Sequence, residues 1–172
     1  AFIDKDYPGF PRNNHNAEFI CGKILKLWRE KKFPIIHVRH SSTNINSKLH
    51  ESNPGFEFND YVKPKADEII LKKNVNSAFI GTDLKSILDR SNTKVVIIVG
   101  MTTNHCISTT VRMSGNFGYE TFLISDSTAC YTAKGLDGEL IDCEVIYQTS
   151  IANLKDEFAT IINSEELITL IK

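Results

Sequence analysis

No part of this 172-residue sequence is apolar for long. The longest such stretch is Val95–Val99 with its flanks, about five to seven residues against the ~20 that cross a bilayer as a helix. An excess of charge of one sign is missing too. Twenty Lys and Arg oppose 21 Asp and Glu for a net charge of −1, so neither a nucleic-acid groove nor an anionic membrane surface is indicated as a partner. Basic residues cluster only at Lys31-Lys32 and Lys72-Lys73, with no aromatic-rich basic stripe beside them. There is no CxxC pair either. Cys21, Cys106, Cys130 and Cys143 are widely and irregularly spaced, which fits reduced thiols and a cytoplasmic setting better than a secreted disulfide framework. Repeats, low-complexity tracts and linkers are absent, so a single domain over 1–172 is expected, long enough for one substantial core. The opening residues read as the tail of a strand with no signal-type segment, which is compatible with further residues upstream.

What is present is alternation. Strands are predicted at 1–3, 33–38, 68–71, 94–99, 120–124 and 158–162, and helices at 16–32, 82–90, 106–115, 139–153 and 165–171. In the first helix Phe19, Ile20, Ile24, Leu27 and Trp28 recur close to every 3.6 residues. Thr82 offers a cap for the second. The run KVVIIV at 94–99 is β-branched almost throughout, as in a strand buried on both faces of a parallel sheet. The class is therefore α/β: a three-layer α/β/α domain around a six-stranded, mostly parallel sheet of Rossmann-like architecture. The segment 40–66 stands apart. It is polar, rich in Ser, Asn and Pro, and without period, as binding loops, lids or disordered segments are.

In an open α/β sheet, ligands bind beyond the carboxyl ends of the strands. Three reactive residues fall just after predicted strands: Asp4, Lys73 and Cys106. A parallel sheet puts those positions on one edge, so an acid, an ammonium and a thiol can converge. Singly, each has a plainer reading. Asp4 is a turn residue, Lys73 a solvated charge, and a lone cysteine a small buried apolar group, which is how Cys21, Cys130 and Cys143 are read. Cys106 differs by its place in Gly100-Met101-Thr102-Thr103-Asn104-His105-Cys106, a strand–turn–helix junction. A thiol at a helix start, with a lysine near, is shifted toward the nucleophilic thiolate.

At these residues the sequence resembles the isochorismatase-like cysteine hydrolases. The likeness rests on Ile3-Asp4, on Lys73-Asn74-Val75-Asn76-Ser77-Ala78-Phe79-Ile80-Gly81-Thr82-Asp83-Leu84, and on the Gly100–Cys106 run. It continues through Gly118-Tyr119, Ser125-Asp126, Ala152-Asn153-Leu154 and Glu157-Phe158-Ala159, and so spans nearly the whole chain. The resemblance implies a triad. Asp4 would be the general base, Lys73 would stabilise the thiolate, and Cys106 would attack a carbonyl to give an acyl-enzyme. It also implies a cis peptide at Met101-Thr102 and an oxyanion hole of the Thr102 and Cys106 N–H groups. The pocket wall would involve Asp6, Tyr7, Phe10 and Phe79. Asp6 stands where the family usually has Gln, and a second carboxylate so near Asp4 either raises its proton affinity or favours a cationic substrate.

Nicotinamidases of this fold hold a metal with one Asp and two His after the second strand. Here that region reads His37-Val38-Arg39-His40-Ser41-Ser42-Thr43 with His50 beyond, the Asp-x-His spacing is absent, and no metal or cofactor is expected. His105 adjoins the nucleophile and need not face the site. True isochorismatases lack the cysteine, so the thiol points to C–N chemistry on a small-molecule amide, in a homo-oligomer. The alternatives are a non-catalytic binding or scaffold protein, a hydrolase of another bond type, or a thiol redox protein that would need a resolving thiol such as Cys130.

Overall fold

The computed structural model describes residues 10–172, and the strand expected at 1–3 lies outside them. The apolar period of the first helix closes into α1 (Ala17–Glu30), which buries Ala17, Cys21 and Ile24. Past its end Lys32 adopts a φ of 57°, and the Phe33 N–H bonds back to Trp28 O at 3.0 Å. Pro34 has no N–H for a ladder. Strand β1 consequently runs over Ile36–His40 rather than 33–38. The later end brings His40 to the sheet edge, in parallel register with Lys73, the last residue of β2 (Ile69–Lys73).

Between β1 and β2 the long polar connection is built, not slack. Phe56 is buried under the Arg39 guanidinium, 4.0 Å from ring centre to Cζ, and the Asn53 carboxamide donates to Ile45 O and Ser47 O. Helix α2 (Leu84–Arg90) follows, with Asp83 at the cap position where Thr82 was the expected cap; the Thr82 hydroxyl still accepts the Leu84 N–H at 3.3 Å.

The KVVIIV run forms β3 (Val95–Ile98). After it, a π-helical turn over Thr103–Ile107 leads into α3 (Ser108–Asn116), where the sequence predicts one unbroken helix over 106–115. Strand β4 occupies Glu120–Ile124 as expected. The stretch 139–153, predicted as a helix throughout, divides. Its start is strand β6 (Leu140–Ile141), which pairs antiparallel with β5 (Ala133–Lys134), because Gly138 turns the chain at φ 85° and Glu139 O accepts the Gly135 N–H. Only then does α4 (Cys143–Ala152) begin, with Asp142 Oδ1 accepting the Glu144 N–H at 2.8 Å. Strand β7 (Thr160–Ile162) and helix α5 (Ser164–Leu170) close the chain, the latter through a reciprocal Asn163–Glu166 cap.

The class is α/β with parallel strands, but the described strands do not form one six-stranded sheet. They fall into a parallel pair, β1–β2, and a parallel triplet, β3–β4–β7. Alternation sorts the triplet's side chains between two faces. Val96, Ile98 and Leu123 pack with Ile107, Val111, Ile151 and Leu154, while Ile97, Ile124 and Ile162 pack with Ile24, Trp28 and Leu167. Helices α3 and α4 thus cover one face and α1 and α5 the other, which makes three layers.

Candidate active site

Strand β2 ends on Lys73, and the turn after β3 carries Cys106; these two side chains form the centre of the site. The Lys73 ammonium lies 3.1 Å from Cys106 Sγ. It also donates to Val75 O at 2.9 Å and reaches His40 Nδ1 at 3.4 Å. Lys73 is only 6% exposed, so its charge is held by these groups rather than by bulk water. The Asn76 carboxamide oxygen faces the thiol at 3.9 Å.

The Cys106 turn is fixed from behind by the chain that follows β4. The Gly100 N–H donates to Ser127 O at 3.2 Å and the Thr103 N–H to Ala129 O at 3.0 Å, while the Thr103 and Thr128 hydroxyls meet at 2.9 Å. Gly100 leaves β3 at φ 129°, a conformation that side-chain-bearing residues rarely adopt. The peptide between Met101 and Thr102 is cis. Thr102 O then accepts N–H groups from His105 and Ile107, the residues on either side of Cys106, which widens the turn to π geometry. Beneath it the buried Arg12 grips both oxygens of Glu18 at 2.6 Å and touches Met101 Sδ at 3.5 Å.

Cys106 is partly exposed; the other three thiols are buried. Burial pushes the Cys21 thiol up to about 12 and raises that of Cys130. Burial, and then the Lys73 ammonium, hold the His40 imidazole below its ordinary range.

Of the residues singled out from sequence, Lys73 and Cys106 come together, and Thr102 stands at the start of the turn that carries Cys106. Asp4, Asp6 and Tyr7 lie outside the described residues, and Phe10 is half-buried at their boundary. Phe79, expected in the pocket wall, directly follows Ala78, whose N–H donates to Thr110 Oγ1 at 3.0 Å. Its ring is buried with Ala78, Leu84 and Leu88 and meets Phe117 at 5.2 Å and Tyr119 at 6.3 Å. His105 is exposed, with Nε2 against Asn104 Nδ2. The two histidines of the β1 segment are engaged separately, His37 with Glu68 at 2.8 Å and His40 with Lys73. Among the described residues no group of three His, Cys, Asp or Glu side chains is placed to hold a metal. His40 and Asn76 are site neighbours the sequence reading did not pick out. The only signal for them was position, at the end of β1 and three residues past Lys73.

A protein-family model described as the isochorismatase domain matches residues 20–166. The chain is 45% identical over 168 residues to an uncharacterised isochorismatase family protein of Bacillus subtilis (strain 168), YrdC, covering 98% of this chain and 89% of that protein. It superposes with a TM-score of 0.91 and 32% identity on an isochorismatase-family protein from Chromobacterium violaceum ATCC 12472, covering 94% of this chain and 84% of the other. It is also 27% identical, over 66% of its length and 42% of the other's, to the ureidoacrylate amidohydrolase RutB of Acinetobacter baylyi.

Proposed function

Because the chain belongs to the isochorismatase family, we propose that it is a hydrolase that cleaves the C–N bond of a small-molecule amide through a Cys106 acyl-enzyme. The observation that carries this reading is the buried Lys73 ammonium 3.1 Å from Cys106 Sγ. A cation held that close in a poorly hydrated site stabilises negative charge on the attacking sulfur, and the thiolate is the nucleophile.

The steps follow from that pair. Cys106 Sγ adds to the amide carbonyl carbon, and the N–H groups of Thr102 and Cys106 receive the charge on oxygen; removing one such donor in other enzymes costs ~3–4 kcal/mol. The C–N bond breaks, the nitrogen leaves with a proton, and a thioester remains on Cys106. Water then adds to the thioester, gives up a proton and releases the acid, which returns the thiolate. The proton carrier assigned by the resemblance is Asp4, taking the thiol proton and passing one to the leaving nitrogen. Support for a C–N bond over other bonds comes from the thiol itself and from the similarity to an amidohydrolase.

The test is a panel of primary, cyclic and carbamoyl amides coupled to ammonia detection. Turnover by the wild type, abolished in Cys106→Ser, is expected. Turnover retained in that variant moves the chemistry elsewhere, and none across the panel favours a non-catalytic member of the family.

A further inference from the structure

We propose that His40 is a positioning residue for the thiolate: its neutral imidazole accepts a hydrogen bond at Nδ1 from the Lys73 ammonium and so aims that ammonium at Cys106. This rests on the reading of Cys106 as the nucleophile.

An ammonium has three N–H donors and no acceptor. Among the described residues Lys73 Nζ has three neighbours at hydrogen-bond range: Val75 O at 2.9 Å, Cys106 Sγ at 3.1 Å and His40 Nδ1 at 3.4 Å. Two of these fix the direction of the third. Val75 O is supplied by the chain just beyond β2, whereas His40 is supplied by the neighbouring strand. Parallel register sets His40 beside Lys73, and the Ser41 N–H to Lys73 O bond at 2.7 Å ties the two strand ends together. The imidazole therefore sits on paired strand backbone, and the ammonium at the tip of the long lysine side chain is pinned. A flexible ammonium without that pin would swing between the carbonyl, the thiol and water, and its field at Sγ would average down.

The protonation state fits the role. Nδ1 can accept only in the neutral ring with the proton on Nε2. Burial and the adjacent ammonium disfavour a positive charge on the ring and outweigh the opposing pull of the Val75 carbonyl; Lys73 is the charged side chain facing it among the described residues. His37, three residues earlier, has Glu68 for a partner and lies on the opposite face of β1.

Three measurements test it. The first compares His40→Leu, which keeps the bulk and loses the acceptor, with His40→Asn, whose Oδ1 replaces Nδ1 at the same branch point. The readout is the pH profile of iodoacetamide alkylation at Cys106, followed by peptide mass. In the wild type Cys106 is expected to react far faster than Cys21, Cys130 and Cys143. His40→Leu should move the midpoint of the profile up by about one unit, a tenfold loss of thiolate at a fixed pH below it, and His40→Asn should restore most of it. A second readout is thermal unfolding, which a purely structural histidine would move in step with reactivity; here Asn should restore reactivity whatever it does to stability. The third needs no variant: nitrogen NMR of the wild type at neutral pH should show His40 protonated on Nε2 and unprotonated on Nδ1. An unchanged midpoint in His40→Leu, an equal loss in His40→Asn, or a proton on Nδ1 overturns the proposal while leaving Cys106 as nucleophile. Equal alkylation of all four cysteines in the wild type overturns both.

Discussion

A charge withdrawn from water needs partners, and two charged side chains decide much of this molecule. Lys73 meets that need with a carbonyl, an imidazole and a thiol, and the last of these gains reactivity in return. Glu68 meets it structurally. Its carboxylate takes two bonds from Arg29 of α1, at 2.7 and 2.8 Å, one from His37 of β1 and one from the Lys65 N–H. Arg29 above all holds the Glu68 carboxyl down at about 2, against an ordinary value of 4.5. Because its affinity for protons is depressed by folding, the carboxylate stabilises the fold in full above about pH 4.5 and loses that contribution as the pH falls toward 2. Glu68→Gln is therefore expected to lower stability by about 2 kcal/mol near neutral pH. The gap to wild type should close on acidification from pH 4.5 to 2, as measured by denaturant unfolding at a series of pH values. A gap independent of pH would contradict the assignment.

Among the elements, α3 carries the greatest consequence, since the π-turn that presents Cys106 is continuous with its first residue. The helix is held close to the sheet by a glycine. A Cβ on Gly115 would stand 2.7 Å from Phe158 O and 3.1 Å from Phe158 Cα, both backbone atoms that cannot swing aside. Gly115→Ala thus forces α3 and the segment before β7 apart. It is expected to cost roughly 1–3 kcal/mol, an overpacking penalty visible as a fall in the thermal midpoint. An unchanged midpoint would mean that the two elements are not locked together. Similar control at shorter range comes from Asn163, whose side chain accepts the Glu165 and Glu166 N–H groups at 2.9 Å and sets where α5 begins.

Across the whole molecule, the three layers converge on β4. Leu123 and Ile124 are adjacent, both wholly buried, and belong to different clusters, Leu123 under α3 and Ile124 under α1 and α5. In a two-layer protein one of such a pair would face water and its truncation would matter little. Here Leu123→Ala and Ile124→Ala are each expected to cost about 2–5 kcal/mol in chemical denaturation. A loss at only one of them would remove a layer. Among the described residues no helix is long and apolar enough to cross a membrane.

Much of this could be read from residue order alone. The α/β class, the strand at 120–124, the first helix and the closing helix are local consequences of periodicity and β-branching, which short stretches of chain already encode. The same holds for the choice of Lys73 and Cys106, since strand ends and helix starts are marked in sequence. What residue order could not settle is register and sidedness. Whether β1 stops at Val38 or His40 depends on the Phe33 N–H turning back to Trp28 and on the pairing with β2, and only that pairing sets His40 beside Lys73. Likewise, residue order does not say that the Phe79 ring is buried with Leu84 and Leu88 and meets Phe117 and Tyr119. Side chains 33 residues apart, Lys73 and Cys106, meet at 3.1 Å only because the fold brings the end of β2 and the turn after β3 together. Local chemistry selects the groups, and long-range packing decides which of them touch.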